Sequence, residues 1–235
     1  MSAGLAIFVK TPGHSPLKTR LAVGIGEDAA RRFHVLAAAA VAAVAQAVVP
    51  QLAAYWAVAE NAALDAPAWA RLPRFAQGAG DLGARMRHAC ETLRDSHGRA
   101  LLLGADAPQL TVDDLAGAVR ALDAHEYVLG PSLDGGFWLF GTCTAVPEAA
   151  WTLTPWSHPH TGARFTAALG DARVAHLRTL RDADTVDDLP PLLVALDALT
   201  DPLPEQTTLA DWLRMQDFGV RGDMEQASDR HGSEP

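Results

Sequence analysis

Three cationic side chains within one short loop of an acidic chain are the first residues whose types and spacing could do chemistry. They are Lys10, Lys18 and Arg20, in KTPGHSPLKTRL (residues 10–21), with Pro12, Gly13, Ser15 and Pro16 among them as turn formers. Lysines offer point charges, an arginine can chelate a phosphate through two parallel hydrogen bonds, and Gly13 lets backbone N–H groups approach an anion closely. Such a loop either grips phosphate or is a row of solvated charges. The loop itself has the form of neither GxxxxGK[ST] nor GxGxxG, so its grip would differ from a P-loop or a Rossmann turn.

Carboxylates supply the opposite charge. Asp106 follows the apolar run LLLG in GADAP, and DADTVDDL contributes Asp182, Asp184, Asp187 and Asp188. Asp187 and Asp188 stand where a helix N-terminus attracts negative charge, a duty Asp184 does not share. Mg²⁺ is usually held by one or two carboxylates plus substrate phosphates, so Asp106 and Asp184 could bind Mg²⁺ or Mn²⁺ without a dense protein cage. None of the nine histidines has a zinc spacing, and His158 and His160 in WSHPH read as loop decoration.

Composition bounds the partners. A chain of 235 residues that is 49% hydrophobic can bury the core of one α/β domain, expected over residues 1–218. A net charge of -9 argues against nucleic acid or an anionic membrane as partner. Cys90 and Cys143 have neither CxxC spacing nor disulfide-scaffold density, so two buried free thiols and a cytoplasmic location are expected. The Ala-rich run 35–49 is too short and too weakly apolar for a membrane span and reads as a buried helix. No basic segment precedes Leu5–Val9, so no export signal is expected.

These residues need a scaffold, and the hydrophobic periodicity supplies one. Strands are predicted at Gly4–Val9, Ala53–Ala59, Arg99–Leu103, Tyr127–Leu129, Phe137–Phe140 and Val174–Leu177. Helices are predicted at Glu27–Val49, Leu82–Leu93, Thr111–Leu122, Gly162–Leu169, Leu189–Leu199 and Thr208–Met215, with Thr111 and Asp114 forming a capping box. SLDGG is the turn between the fourth and fifth strands. The alternation implies a three-layer α/β/α sandwich with a mostly parallel mixed sheet, whose ligands bind at the strand carboxyl ends. The cationic loop, Asp106 and Asp134 each follow a strand and would share one edge. From about Gly219 the chain is polar and aperiodic, and residues 219–235 read as a disordered tail. Trp138 and Trp151 flank apolar residues and read as packing, whereas Trp156, in a polar loop, is expected to respond to ligand.

KTPGHSPLKTRL, QGAGDLGARM, LLLGADAPQL, LGPSLDGGFWLFG, WSHPHTG and DADTVDDL together resemble, in order, the motifs of the bacterial DUF2064 family. Its members are provisionally described as glycosyltransferases of the GT-A, or nucleotide-diphospho-sugar transferase, fold. The family is similar in turn to 2-phospholactate guanylyltransferases. The resemblance, over about residues 4–215, implies that Lys10, Lys18 and Arg20 grip phosphates. It implies that Gln77, Gly78 and Asp81 lie near the nucleotide, that Asp106 and Asp184 bind the metal, and that Asp134, Gly135 and Gly136 form a DGG turn against a ligand. The sequence departs from the common pattern in carrying GHSP for a VPGR-like stretch, GADAP for GxDCP and GFWLFG for GYYLIG.

Three functions are then open. The leading expectation is metal-dependent glycosyl transfer from a nucleotide sugar to a small-molecule acceptor. Nucleotidyl transfer from an NTP to a phosphorylated small molecule needs the same charges, and a non-catalytic nucleotide sensor could keep the fold. The oligomeric state is not legible.

Overall fold

The structure is a computed structural model that describes residues 2–216, so the expected tail lies outside the described residues. Seven strands form one sheet: β1 (Ala3–Val9), β2 (Leu52–Val58), β3 (Arg74–Ala76), β4 (Ala100–Gly104), β5 (Tyr127–Pro131), β6 (Phe137–Thr142) and β7 (Val174–His176). Their spatial order is β3-β2-β1-β4-β6-β5-β7. Only β6 runs antiparallel to its neighbours β4 and β5, and the other pairings are parallel.

Among the described residues eight α-helices cover the sheet: α1 (Thr19–Ile25), α2 (Glu27–Ala47), α3 (Leu82–His97), α4 (Val112–Ala121), α5 (Glu148–Thr152), α6 (Thr161–Ala168), α7 (Leu189–Asp197) and α8 (Pro204–Arg214). Alternation along the central strands separates the faces. Leu5, Ile7, Leu101 and Leu103 pack with α2 and α4, while Ala6, Ala100 and Leu102 pack with α3, α5 and α6. A third apolar cluster joins the outer side of α2 to α1, α7 and α8. The expected α/β/α sandwich is therefore present.

The Ala-rich run is the buried part of α2, where small side chains let one helix pack against both the sheet and α8. No helix among the described residues is long and apolar enough to cross a membrane. Thr111 caps α4 as its sequence predicted, with Asp114 completing the box. Three short elements escaped the periodicity. β3 and α5 are too brief to show a period, and the seven residues of α1 follow directly on the Gly- and Pro-rich loop, entered through Lys18 in a left-handed conformation, φ 46°. Cys90 is buried and its thiol is pushed up to about 12 by loss of solvent, whereas Cys143 is only half-buried.

The sheet order places a switch point between β1 and β4. From β1 the chain runs outward to β2 and β3, then returns to β4 on the other side of β1. Loops leaving two such parallel strands diverge, and the crevice between them is where open α/β sheets bind ligands.

Candidate active site

The loop after β1 and the residues after β4 meet in that crevice. Lys18 Nζ lies 2.9 Å from Asp106 Oδ1 and 3.0 Å from Asp184 Oδ1, and donates to the Ala183 carbonyl at 2.6 Å. The ammonium thus has two hydrogen bonds, to Ala183 and Asp184, and a second ion pair with Asp106. The Lys18 side chain is 6% exposed, against 38% for Asp106 and 29% for Asp184. Burial favours the neutral amine, but the two carboxylates outweigh it and Lys18 titrates above its ordinary value. Asp106 is the mirror case: burial pushes its carboxyl up, the Lys18 ammonium pulls it down further, and the net shift is downward. A backbone hydrogen bond from Ala183 N–H to the Asp106 carbonyl, 2.9 Å, fixes the two acidic segments side by side.

The remaining cations stand at the rim. Arg20 is 70% exposed and donates to Asp184 Oδ2 at 2.7 Å, and exposed Lys10 donates to the Pro16 carbonyl at 3.3 Å. The loop is anchored from β2's side by Glu60, which accepts from Thr11 N–H at 2.8 Å and from the Ser15 hydroxyl. Burial raises the Glu60 carboxyl, the hydrogen bonds from Ser15 and Thr11 lower it by more, and it stays ionised well into acid. Buried His34 of α2 donates from Nε2 to the Lys10 carbonyl, 3.0 Å, and burial shifts its pKa down, so it is neutral at pH 7.

Two adjoining cavities open here. The first, about 540 Å³, is lined by Lys10, Lys18, Arg20, Arg85, Asp106 and Asp184, with Gln77 and Asp81 on its far wall. The second, about 310 Å³, is lined by Asp134, Asp182, Gly136, Phe137, Trp156 and His158 among others. Phe8, Leu82, Asp106 and Ser157 belong to both, so the two are one cleft with Asp106 at the junction.

The candidate residues divide accordingly. Lys10, Lys18, Arg20, Gln77, Asp81, Asp106 and Asp184 share the first cavity, and Asp134, Gly136 and Trp156 the second. Gly13 lies apart, lining a separate hollow with His14, Ser15 and Arg31. Gln77 and Asp81 also have local duties. Gln77 Nε2 donates to the carbonyls of Val9 and Ala57, tying the ends of β1 and β2, and Asp81 caps α3 through Ala84 N–H at 2.9 Å. Gly78 adopts φ 88° in the turn between them. Asp134 Oδ1 accepts from Gly136 N–H at 2.9 Å, and Gly135 sits so close to the next loop that a Cβ would lie 1.8 Å from the Pro159 carbonyl oxygen. The DGG turn is therefore compressed by protein backbone. Trp156 is half-buried, its Nε1 donating to the Trp151 carbonyl at 3.1 Å, and it lines the second cavity. Trp138 and Trp151 are buried as expected.

Sequence reasoning passed over Asp182, Arg85, Glu60 and His34, and read His158 as decoration. The Asp182 carboxyl is raised to about 7 by burial and then by the Asp106 charge. The neighbouring Ser132 hydroxyl offsets part of this while lying short of hydrogen-bond geometry with any described partner. Asp182 lines the second cavity and Asp184 the first, a division that their spacing of two did not reveal, since residues two apart in an extended segment share a side. Arg85 was legible as the residue one turn after Asp81 on the same helix face.

Asp106 and Asp184 are hard oxygen donors on either side of one cation position, and this suits Mg²⁺ or Mn²⁺ better than a soft metal. Among the described residues no group of three or more His, Cys, Asp or Glu is gathered to hold an ion by itself. The donors thus fit an ion that completes its shell with phosphate and water.

Sheet order and layering place this chain in the class of nucleotide-diphospho-sugar transferase folds. Over 91% of its length it superposes on 98% of a protein from Desulfovibrio desulfuricans G20 provisionally called a nucleotide-diphospho-sugar transferase, with TM-score 0.77 and 23% identity. It is similar, at TM-score 0.51 and 18% identity, to Rv0371c of Mycobacterium tuberculosis crystallised with manganese, covering 84% of this chain and 100% of that one. A CMP:2-keto-3-deoxy-manno-octonic acid synthetase complexed with CTP shares 12% identity at TM-score 0.51, covering 85% and 100%. No curated protein matches the chain in sequence. Residues 36–158, more than half of the chain, match the family model DUF2064, described as an uncharacterized protein conserved in bacteria, and the chain belongs to that family.

Proposed function

We propose that this protein is a divalent-metal-dependent transferase with a nucleotide-activated donor, and that it moves a sugar from a nucleoside diphosphate sugar to a small-molecule acceptor. The observation that carries the reading is the convergence of Lys10, Lys18 and Arg20 with Asp106 and Asp184 on a cleft of about 540 Å³ at the β1/β4 switch point. The fold shared with proteins named as nucleotide-sugar and CTP-using enzymes supports it.

Lys10 and Arg20 hold the diphosphate at the rim, where their N–H groups can turn from Pro16 and Asp184 to phosphate oxygens. Lys18, beneath them, keeps positive charge next to the bond that breaks and stabilises the departing diphosphate. Mg²⁺ or Mn²⁺ held by Asp106 and Asp184 would share that negative charge. Gln77 and Asp81 line the wall against which the nucleoside rests, and Gly78 turns the backbone between them.

Nucleotidyl transfer is the second reading, favoured by Arg85 joining the three loop cations on the same cavity, a number that suits a triphosphate. Calorimetric affinities for NMP, NDP, NDP-sugar and NTP, with and without Mn²⁺, test both. A nucleotide at ~100 times its dissociation constant should stabilise the fold by about 2.7 kcal/mol, and Asp106→Asn should abolish the metal-dependent part. Tight NDP-sugar binding supports glycosyl transfer, and binding confined to NTP moves the assignment to nucleotidyl transfer. Metal-independent binding of equal strength in parent and Asp106→Asn refutes the metal site.

A further inference from the structure

The two halves of the cleft differ in charge and in wall chemistry. Lys10, Lys18, Arg20 and Arg85 all line the first cavity. Among the described residues neither lysine nor arginine lines the second, whose charged lining is Asp106, Asp134 and Asp182. Its other wall is aromatic. Trp156 is held in orientation by its hydrogen bond to Trp151 and packs against Phe137 and Phe165, with ring centroids 6.4 and 5.8 Å apart. Beside Asp182 the Ser132 hydroxyl, 5% exposed, is without a hydrogen-bond partner among the described residues. A cavity of about 310 Å³ lies at the small end of ligand sites.

Resting on the transferase reading above, we propose that the second cavity holds the body of the acceptor, and that this body is a compact polyol, uncharged or bearing an ammonium group, with no phosphate or carboxylate inside the cavity. Carboxylate oxygens accept hydrogen bonds from hydroxyl and ammonium groups, and the Trp156 face takes the apolar face of a ring or an adjacent cation. An anionic group placed there would face Asp134 and Asp182, with no lysine or arginine among the described residues lining that cavity to receive it. Any phosphate on the acceptor must therefore lie at the Asp106 junction, beside the cations of the first cavity.

Methyl glucoside, glucosamine and glucose 6-phosphate serve as neutral, cationic and anionic probes. Each is titrated calorimetrically into the full chain, with and without saturating UDP and Mn²⁺, so the preference is read whether or not the nucleotide binds. Glucosamine and methyl glucoside should bind more tightly than glucose 6-phosphate by about tenfold or more. Asp134→Asn, which keeps the acceptor oxygen for Gly136 N–H, should narrow that gap, and Asp134→Lys should narrow it further. With UDP and Mn²⁺ saturating the first cavity, glucose 6-phosphate binding as tightly as glucosamine overturns the proposal, and so does failure of all three probes at tens of millimolar. Failure of the nucleotides instead refutes the donor reading, and is seen in separate titrations.

Discussion

Replacing Lys18 by methionine should move stability and metal affinity in opposite directions. The side chain is 6% exposed and satisfies two carboxylates, each within 3.0 Å of one nitrogen. Without it, Asp106 and Asp184 face each other at no more than about 6 Å, a repulsion of about 3 kcal/mol at an effective dielectric of ~20. Breaking a fully buried pair costs about 3–5 kcal/mol, but both carboxylates reach water, so about 2 kcal/mol is the expected loss at pH 7. The pH dependence has a definite sign. Asp106 titrates below its unfolded value, so its contribution is present at neutral pH and is lost as pH falls through and below the carboxylate range. Lys18 titrates above its unfolded value, so its contribution is full below about pH 10 and fades only above that. The gap between parent and variant should therefore be widest from about pH 5 to about pH 10 and close in acid. Freed of the ammonium, the two aspartates should bind Mn²⁺ several-fold more tightly without nucleotide, while nucleoside diphosphate affinity falls. Denaturant unfolding across pH and Mn²⁺ calorimetry make the measurement, with Arg31→Ala, which removes two exposed pairs worth under about 0.5 kcal/mol each, as control. A variant as stable as the control at pH 7, or one that binds Mn²⁺ more weakly than the parent, would refute the reasoning.

Asp182→Asn should stabilise the metal-free protein in alkali. A carboxyl that titrates at about 7 opposes folding once ionised, by up to roughly 4 kcal/mol, so the gain should be near zero below about pH 4 and complete above about pH 8. A gain independent of pH would show that the carboxylate is not strained by its surroundings. In Gly83→Ala the new Cβ would lie 2.4 Å from both the Trp151 carbonyl oxygen and Trp156 Nε1, so a loss of about 1–3 kcal/mol and altered Trp156 emission are expected. Unchanged melting and fluorescence would mean that α3 does not seat the tryptophan. Gln77→Leu removes both donors that join the Val9 and Ala57 carbonyls, and about 2 kcal/mol of stability should go with them in chemical denaturation. A loss under about 0.5 kcal/mol would leave Gln77 with no structural duty and free to serve a ligand.

Local chemistry determines much of this protein. Apolar runs wrote the central strands, because a strand buried on both faces needs no polar alternation, and Thr111 with Asp114 wrote the start of α4. The types of residue at the site were legible for the same reason: cations on a turn and carboxylates at strand ends have few structural uses. Elements of three to five residues, β3 and α5, were not legible, since a period cannot be read from so short a segment. Long-range pairing decided the rest. That Lys18 spends its ammonium on Asp106, Asp184 and the Ala183 carbonyl depends on partners distant in sequence, 165 and 166 positions away for Ala183 and Asp184, and the burial that lifts Asp182 is likewise a property of the packed chain. Only the sheet order brings β1 and β4 together with the acidic segment, and only there do all the cations fall in one cavity and leave the other acidic. Charge and hydrogen-bonding capacity belong to a residue type and travel with the sequence, whereas desolvation and proximity are properties of the packed chain.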